Sequence, residues 1–155
     1  MILDKSLEFS DAQAVTASAI STNVVDLYPI GNSVNSNTLR DIGTGEDVYL
    51  VVITNTAATD SGDDATLTVT LESDSAVGLD SSATVHFSTG AIAFANFSPA
   101  GSVLANVKLP AGNYERYLGV RYTVASGNLT AGKFDAFLVK DAQAYRSYAV
   151  GSTIV

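Results

Sequence analysis

Few residues in this sequence are of the types that carry out chemistry, and the densest group of them is acidic. The segment Asp60-Ser61-Gly62-Asp63-Asp64 places three carboxylates within five residues, and carboxylate oxygens are ligands that Ca²⁺ prefers. Their spacing does not match the EF-hand calcium loop, and Asp and Gly are common turn formers. The pattern therefore favours a solvated turn, with Asp60, Asp63 and Asp64 kept as weak metal candidates.

His86 is the only histidine, so it is the only imidazole that could act as a general base. Strand alternation would place it beside Thr84 and Ser88, which allows a Ser–His pair. No Gly-x-Ser-x-Gly nucleophile elbow accompanies it, and no third member of a triad is evident. We expect His86 to be an exposed or hydrogen-bonded strand residue, and we predict no catalytic residue.

Two further patterns could belong to an enzyme. Pairs of carboxylates cleave glycosides, but the glutamates that could form such a pair fall mostly on predicted solvent-exposed strand faces or in turns. These are Glu8, Glu46, Glu72 and Glu115. The segment Gly43-Thr44-Gly45 precedes a predicted strand rather than a helix, so it lacks the helix dipole that would bind phosphate, and a simple turn is the better interpretation.

The composition narrows the functional classes. The 155 residues include no cysteine and one histidine, which excludes thiol chemistry and any zinc site built from Cys or several His. The net charge of -8 argues against nucleic acid and anionic membranes as partners, because their phosphates would be repelled. Hydrophobic residues make up 46% of the chain and charged residues 15%, which indicates a folded chain rather than a disordered one. We expect one domain spanning residues 1–155 and no cofactor.

The start of the chain lacks the basic and apolar regions of a secretory signal. The longest apolar run, Val48–Ile53, is far shorter than the ~20 residues of a membrane-spanning helix. We therefore expect synthesis in the cytoplasm and no membrane partner.

Apolar residues alternate with a period of two along several segments, as in half-buried strands. The best examples are Thr66–Glu72 and Val103–Leu109. Arg116–Val124 alternates as well, and the turn residues Ser126-Gly127-Asn128, followed by a further run through Val139, predict a hairpin.

Other segments complete an all-β fold. Val48–Ile53 is apolar on both faces, which predicts a central strand, and weaker strands are predicted at Thr22–Leu27, Thr84–Ser88 and Ala91–Phe94. Ser10–Val15 is interpreted as a strand or extended chain, although a Ser N-cap with Gln three residues later leaves a short helix open. About eight strands joined by turns predict two packed antiparallel sheets or a barrel.

Two segments look like additions to the sheets. A loop at about 28–46 is rich in Asn, Ser and Gly and is long enough to be functional or mobile. A C-terminal arm at about 141–155 carries tyrosines and ends in an apolar tip, and Tyr and Arg are enriched where proteins meet. The residues predicted to contact a partner are Asn32, Asn35, Arg40, Tyr145, Arg146 and Tyr148.

Three blocks of sequence resemble the cement, or capsid decoration, proteins of tailed bacteriophages. The first runs from Met1 to Ala19, and the second is Asp41-Ile-Gly-Thr-Gly-Glu-Asp-Val-Tyr-Leu-Val-Val. The third is Arg116-Tyr-Leu-Gly-Val-Arg-Tyr-Thr-Val followed by Thr130-Ala-Gly-Lys-Phe-Asp-Ala-Phe-Leu-Val-Lys-Asp-Ala-Gln. The blocks occur in order and span most of the chain.

The resemblance implies a jelly-roll β-sandwich located on the outer surface of the phage head. Such a protein typically binds as a dimer at two-fold positions and holds neighbouring major capsid subunits together, without catalytic residues or cofactors. The main alternative is a carbohydrate-binding or adhesin-like β-sandwich module that uses Tyr and Asn side chains. A small glycosidase is a third possibility and would require two carboxylates that face each other in a cleft.

Overall fold

The computed structural model describes residues 3–27, 47–80 and 82–142. A 3₁₀ turn, Lys5–Leu7, precedes ten strands and one short helix within these residues. In chain order they are β1 (Glu8–Ala14), β2 (Ala19–Ile20), β3 (Val25–Asp26), β4 (Tyr49–Asp60), β5 (Thr66–Asp74), β6 (Thr84–Ser88), β7 (Ile92–Ala93), α1 (Phe94–Phe97), β8 (Val103–Lys108), β9 (Tyr117–Ala125) and β10 (Leu129–Val139).

The strands form two antiparallel sheets. Sheet I has the order β1-β10-β4-β8, and sheet II has the order β2-β9-β5-β6 with β3 also beside β9 and β7 also beside β5. Since β2 and β3 pair with successive parts of β9, and β6 and β7 with successive parts of β5, the ten segments fill eight strand positions. The two packed sheets form a jelly-roll β-sandwich, which confirms the predicted fold class.

Most strands lie where the alternation predicts them. In β5 the alternate residues Leu67, Val69 and Leu71 are fully buried in the core. The segment from Ser10 is a strand, not a helix, and its pairing with β10 is irregular because Ala12 has a φ of 46°. The backbone N–H of Ala12 donates instead to Asp135 Oδ1 at 2.6 Å.

The weaker strand predictions are only partly right. Within Thr22–Leu27 only β3 is a strand, and within Ala91–Phe94 only β7 is. Phe94 begins α1, a single helical turn that the sequence did not predict. Its Phe97 is fully buried against the core, so packing rather than helix propensity accounts for this turn.

The predicted hairpin between Arg116 and Val139 is wrong. β9 pairs with β5 in sheet II, whereas β10 pairs with β1 and β4 in sheet I. The turn at 126–128, where Ser126 has a φ of 67°, therefore carries the chain from one sheet to the other. The acidic turn between β4 and β5 also joins the two sheets.

The core lies between the sheets and contains a row of aromatic rings. The ring centroids of Phe97 and Phe134 lie 6.5 Å apart, and those of Phe134 and Tyr122 lie 5.6 Å apart. The Tyr122 hydroxyl donates a hydrogen bond to Ser10 Oγ at 3.0 Å, and burial raises the pKa of this phenol. Apolar packing thus joins the two sheets, and the polar atoms of Tyr122 and Ser10 within this core satisfy each other.

The central strand predicted at Val48–Ile53 is confirmed as part of β4, which lies between β10 and β8. Its inner face contributes Leu50 and Val52 to the main core. Its outer face contributes Val51, which is fully buried in a second apolar cluster with Phe137. Both faces of this strand are therefore covered, as its unbroken apolar sequence predicts.

The strand registers place several connections at one end of the sandwich, which we name the loop end. β4 starts where β10 ends, with Tyr49 opposite Val139, and β5 ends where β9 starts, with Asp74 opposite Tyr117. The β5–β6 and β8–β9 loops lie at this end. The predicted loop 28–46 and residues 143–155 of the predicted arm lie outside the described residues.

Candidate functional site

The acidic turn, Asp60 to Asp64, lies at the end of the sandwich opposite the loop end. The Asp60 side chain organises the backbone of this turn. The Asp60 carboxylate accepts hydrogen bonds from the N–H groups of Ala65 at 2.9 Å, Asp64 at 3.1 Å and Gly62 at 3.4 Å. These bonds, chiefly the one from Ala65, lower the pKa of Asp60. Asp63 adopts a φ of 54°, which Asp tolerates in turns. The residues therefore form a hydrogen-bonded turn.

No group of three or more Asp, Glu or His side chains in the described ranges is arranged to hold a metal ion. The weak candidates Asp60, Asp63 and Asp64 are thus not assembled into such a group. The turn also packs closely on the neighbouring one, because a methyl group added at Gly127 would lie 2.5 Å from Asp64 Oδ1. The contact between the two turns accounts for the glycine at this position.

His86 is a hydrogen-bonded strand residue, and its partner is neither Thr84 nor Ser88, the residues beside it in the alternation. Its Nε2 lies 2.7 Å from the Oγ of Ser73 on the neighbouring strand β5. Its ring also packs on Tyr114, with the centroids 4.2 Å apart. Partial burial lowers the pKa of His86, and the nearby Glu115 opposes this effect.

The group around His86 contains the residue types of a catalytic triad without their reactive geometry. Ser73 is fully buried, and its Oγ accepts the backbone N–H of Glu115 at 3.0 Å. The Glu115 carboxylate accepts a hydrogen bond from Thr84 at 2.9 Å. Since the Ser73 hydroxyl is enclosed and already bonded, it is not placed to attack a substrate. The group joins β5 and β6 to the β8–β9 loop.

The glutamates considered for glycoside cleavage are engaged separately. Glu8 forms an ion pair with Lys5 at 3.2 Å, and the buried Glu72 forms one with Arg121 at 2.9 Å. Glu115 is bonded to Thr84, as described above, and Glu46 lies outside the described residues.

The sequence reasoning missed the β5–β6 loop (residues 75–80, 82 and 83), which lies at the loop end. Its base is fastened by the buried carboxylate of Asp74. This carboxylate accepts hydrogen bonds from the Ala76 N–H at 3.2 Å and from the hydroxyls of Ser75 at 3.3 Å and Ser82 at 3.2 Å. The bond from Ala76 contributes most to lowering the pKa of Asp74. Both ends of the loop are therefore tied to one side chain.

Leu79 anchors the middle of the same loop on the outer face of sheet II. It is fully buried although it adopts a φ of 47°, a left-handed conformation that is strained for a bulky residue. A methyl group added at Gly119 of β9 would lie 2.6 Å from Leu79 Cδ1. The absence of a side chain at Gly119 thus provides the space that Leu79 occupies.

A partly buried ion pair completes this attachment. Arg121 of β9 donates from Nε to Glu72 and from Nη2 to the backbone carbonyl of Leu79. The guanidinium therefore bridges a strand carboxylate and the loop backbone, which suits its planar, multi-donor shape. A polar cavity of about 370 Å³ lies beside it, lined by Glu72, Arg121, Gly78, Leu79, Asp80 and Ala83.

The loop carries two exposed side chains of opposite character at its tip. Val77 is 61% exposed, the highest value among the large apolar side chains of the described residues. Asp80 is exposed as well. The sequence offers a weak signal for this loop, namely two aliphatic residues flanking a glycine between two strands, in the segment Val77-Gly78-Leu79.

A second feature of the loop end is an apolar cleft of about 380 Å³. Its walls include Leu7, Val48, Leu138 and Val139, and charged residues such as Lys140 stand at its border. The chain leaves the described residues nearby at Ala142, whose carbonyl accepts a hydrogen bond from Asn106 of β8 at 3.3 Å. The arm therefore starts against the outer face of sheet I.

The predicted contact residues Asn32, Asn35, Arg40, Tyr145, Arg146 and Tyr148 all lie outside the described residues. Their placement stays a prediction. The described residues nearest to them are Leu27, which follows β3, Asp47, which precedes β4, and Ala142, which follows β10. These ends of the three strands lie at the loop end. The described residues that flank the predicted contacts thus lie toward the same end of the sandwich as the β5–β6 loop.

The fold and these loops define a jelly-roll β-sandwich protein with an elaborated end. The model of the Bbp16 family matches residues 9–138, so the chain belongs to the Bbp16 family. None of the curated proteins matches this sequence. In the part of the chain that the structure describes, no helix is long and apolar enough to cross a membrane.

Proposed function

We propose that this protein is a structural component of a phage virion that binds the outer surface of the head and cements neighbouring major capsid subunits. The resemblance to capsid decoration proteins motivates this proposal. The observation that carries it from the structure is the construction of the loop end, where a strained loop is fastened by Asp74, Leu79 and Arg121 and presents exposed side chains. Ordered loops on a rigid sandwich are suited to contact with another protein.

The physical role of such a protein is to resist separation of capsid subunits. Packaged DNA presses outward on the shell, and a molecule that binds two subunits at once opposes their movement apart. Once one contact is made, the second is intramolecular, so bridging raises the overall affinity by roughly 10²–10⁴ without stronger individual contacts. The partner is the major capsid protein, and a homodimer would double the number of contacts.

The acidity of the chain is compatible with this role. With a net charge of -8, the protein is repelled by DNA and is favoured to bind a capsid surface that is locally basic or neutral. The rival hypothesis of a carbohydrate-binding module would call for an exposed aromatic platform. Every described aromatic side chain is buried or partly buried, so no observation on these residues favours that module.

Co-sedimentation with purified expanded heads of the cognate phage tests the proposal. We expect saturable binding at a fixed ratio to capsid subunits, and a higher temperature of DNA release for heads that carry the protein. A variant lacking residues 145–155 is expected to fold and to bind more weakly, because the arm is a predicted contact. Failure of the full-length protein to bind heads in a saturable way would contradict the proposed function.

A further inference from the structure

The exposed tip of the β5–β6 loop is unusual because it is both apolar and fixed in position. Loop tips are commonly polar and mobile, yet here Val77 projects 61% exposed from a loop whose next anchor, Leu79, is fully buried. The carboxylate of Asp74 and the guanidinium of Arg121 hold the loop on either side of the tip. A side chain presented in this way loses little conformational freedom when it binds.

The strained backbone conformation of Leu79 also indicates that the loop is held in position. A leucine with a φ of 47° is held there by its surroundings, and conformations of this kind persist only where packing enforces them and are concentrated at functional sites. Leu79 fills the space above Gly119, and this packing places Val77 and Gly78 on the solvent-exposed side of the loop. Exposure of Val77 is therefore a product of the packing and not of a loose loop.

Asp80 supplies a charge beside this apolar tip. Its carboxylate has no hydrogen-bond or ion-pair partner among the described residues, in contrast to Asp74 and Glu72. It lies close to the tip, because a methyl group added at Gly78 would be 3.0 Å from Asp80 Oδ1. In the adjoining cavity the charges of Glu72 and Arg121 offset each other, so Asp80 leaves a net negative charge there.

We propose that the β5–β6 loop is a docking element, which places Val77 in a shallow apolar depression of a partner protein and pairs Asp80 with a Lys or Arg beside it. The inference rests on the proposed function, in that the partner is the outer surface of a capsid subunit. An apolar side chain next to one carboxylate is complementary to an apolar depression with a basic border. A contact of this size is modest alone and becomes effective when one molecule bridges two subunits.

Equilibrium binding of four variants to purified heads tests the docking element at two salt concentrations. Val77→Asp introduces a charge into the apolar contact, and we expect it to weaken binding about tenfold or more. Asp80→Asn removes the ion pair, and we expect a loss of roughly twofold to fivefold at low salt, with a reduced dependence of affinity on salt. Both residues are exposed, so thermal unfolding of these variants is expected to match the wild type.

Two matched controls separate the loop from general surface effects. Val85→Asp introduces the same charge at another exposed valine, 53% exposed on β6, and Asp63→Asn removes one charge from the acidic turn at the opposite end. We expect both controls to bind within about twofold of the wild type. If the wild type binds heads and a loop variant binds as well as its control, the contact assigned to that residue is wrong while the proposed function stands. If the wild type does not bind heads, the proposed function fails first.

Discussion

Leu79 and Gly119 should be energetically coupled, because one fills the space that the other leaves. Leu79 is fully buried, and its replacement by alanine removes most of an enclosed side chain. Such changes cost about 2–5 kcal/mol in cores. Since this loop covers the outer face of a sheet and is able to settle into the space, we expect Leu79→Ala to lower the free energy of unfolding by about 2–4 kcal/mol.

Gly119→Ala should destabilise the protein for the opposite reason. The added methyl group would lie 2.6 Å from Leu79 Cδ1, with Ser21 Oγ at 3.3 Å and Val24 Cγ2 at 3.5 Å. Only the first distance is a severe overlap, and overpacking of this kind costs about 1–3 kcal/mol. The double variant lacks the Cδ1 atom, so the methyl group has space, and Gly119→Ala should be close to neutral in the Leu79→Ala background.

The assay is a double-mutant cycle measured by urea unfolding, with circular dichroism and tyrosine fluorescence as probes. We expect the double variant to be more stable than the sum of the single changes predicts, by about 1–3 kcal/mol. Gly112→Ala is the matched control, because its nearest atom, His86 Nδ1, is 4.0 Å from the added methyl group. Additivity of the two changes within about 0.5 kcal/mol would refute the proposed packing of Leu79 over Gly119.

Three further predictions concern groups that the sequence singled out. The pKa of His86 in the folded protein lies below its ordinary value of 6.5. As the pH falls, the unfolded chain therefore binds a proton at this ring before the folded protein does. The stability that the neutral ring contributes should fall as the pH drops below about 6.5. His86→Gln should reduce the difference in urea midpoint between pH 7.5 and pH 5.5, and an unchanged difference would contradict the assignment. At the acidic turn, Asp60→Ala should lower the urea midpoint through the loss of its backbone hydrogen bonds, whereas Asp63→Asn should lower it less. Calcium should leave the melting temperature unchanged, and a rise on addition of calcium would restore the metal hypothesis for Asp60, Asp63 and Asp64.

The sequence supports the prediction of strands better than the prediction of their partners. Alternation along β5 and β9 reports one buried face of each strand, because side chains on a strand point to opposite sides in turn. The turn residues at 126–128 report only that the chain reverses. Whether it reverses within a sheet or crosses to the other sheet depends on strands distant in sequence, and for this reason the hairpin prediction failed.

The candidate site was harder to predict from the sequence than the fold. His86 could be recognised as the only imidazole, but its partners Ser73 and Tyr114 come from β5 and from the loop before β9. An irregular register between β5 and β6 at Leu71 and Glu72 changes which side chains meet across the strands, and a regular alternation does not predict it. The β5–β6 loop was overlooked because its role depends on the slot over Gly119, and this glycine lies 40 positions further along the chain from Leu79.

The local sequence pattern and the composition were therefore sufficient to predict the all-β class and the central strand and to exclude cysteine chemistry. Each of these depends only on the residues within a segment or on the residue types present. The tertiary structure was required for the jelly-roll order, the enclosure of Ser73 and the fixed position of Val77. Each of these depends on contacts between segments far apart in the chain, where steric fit, as between Leu79 and Gly119, selects one arrangement among many that satisfy the same hydrophobic pattern.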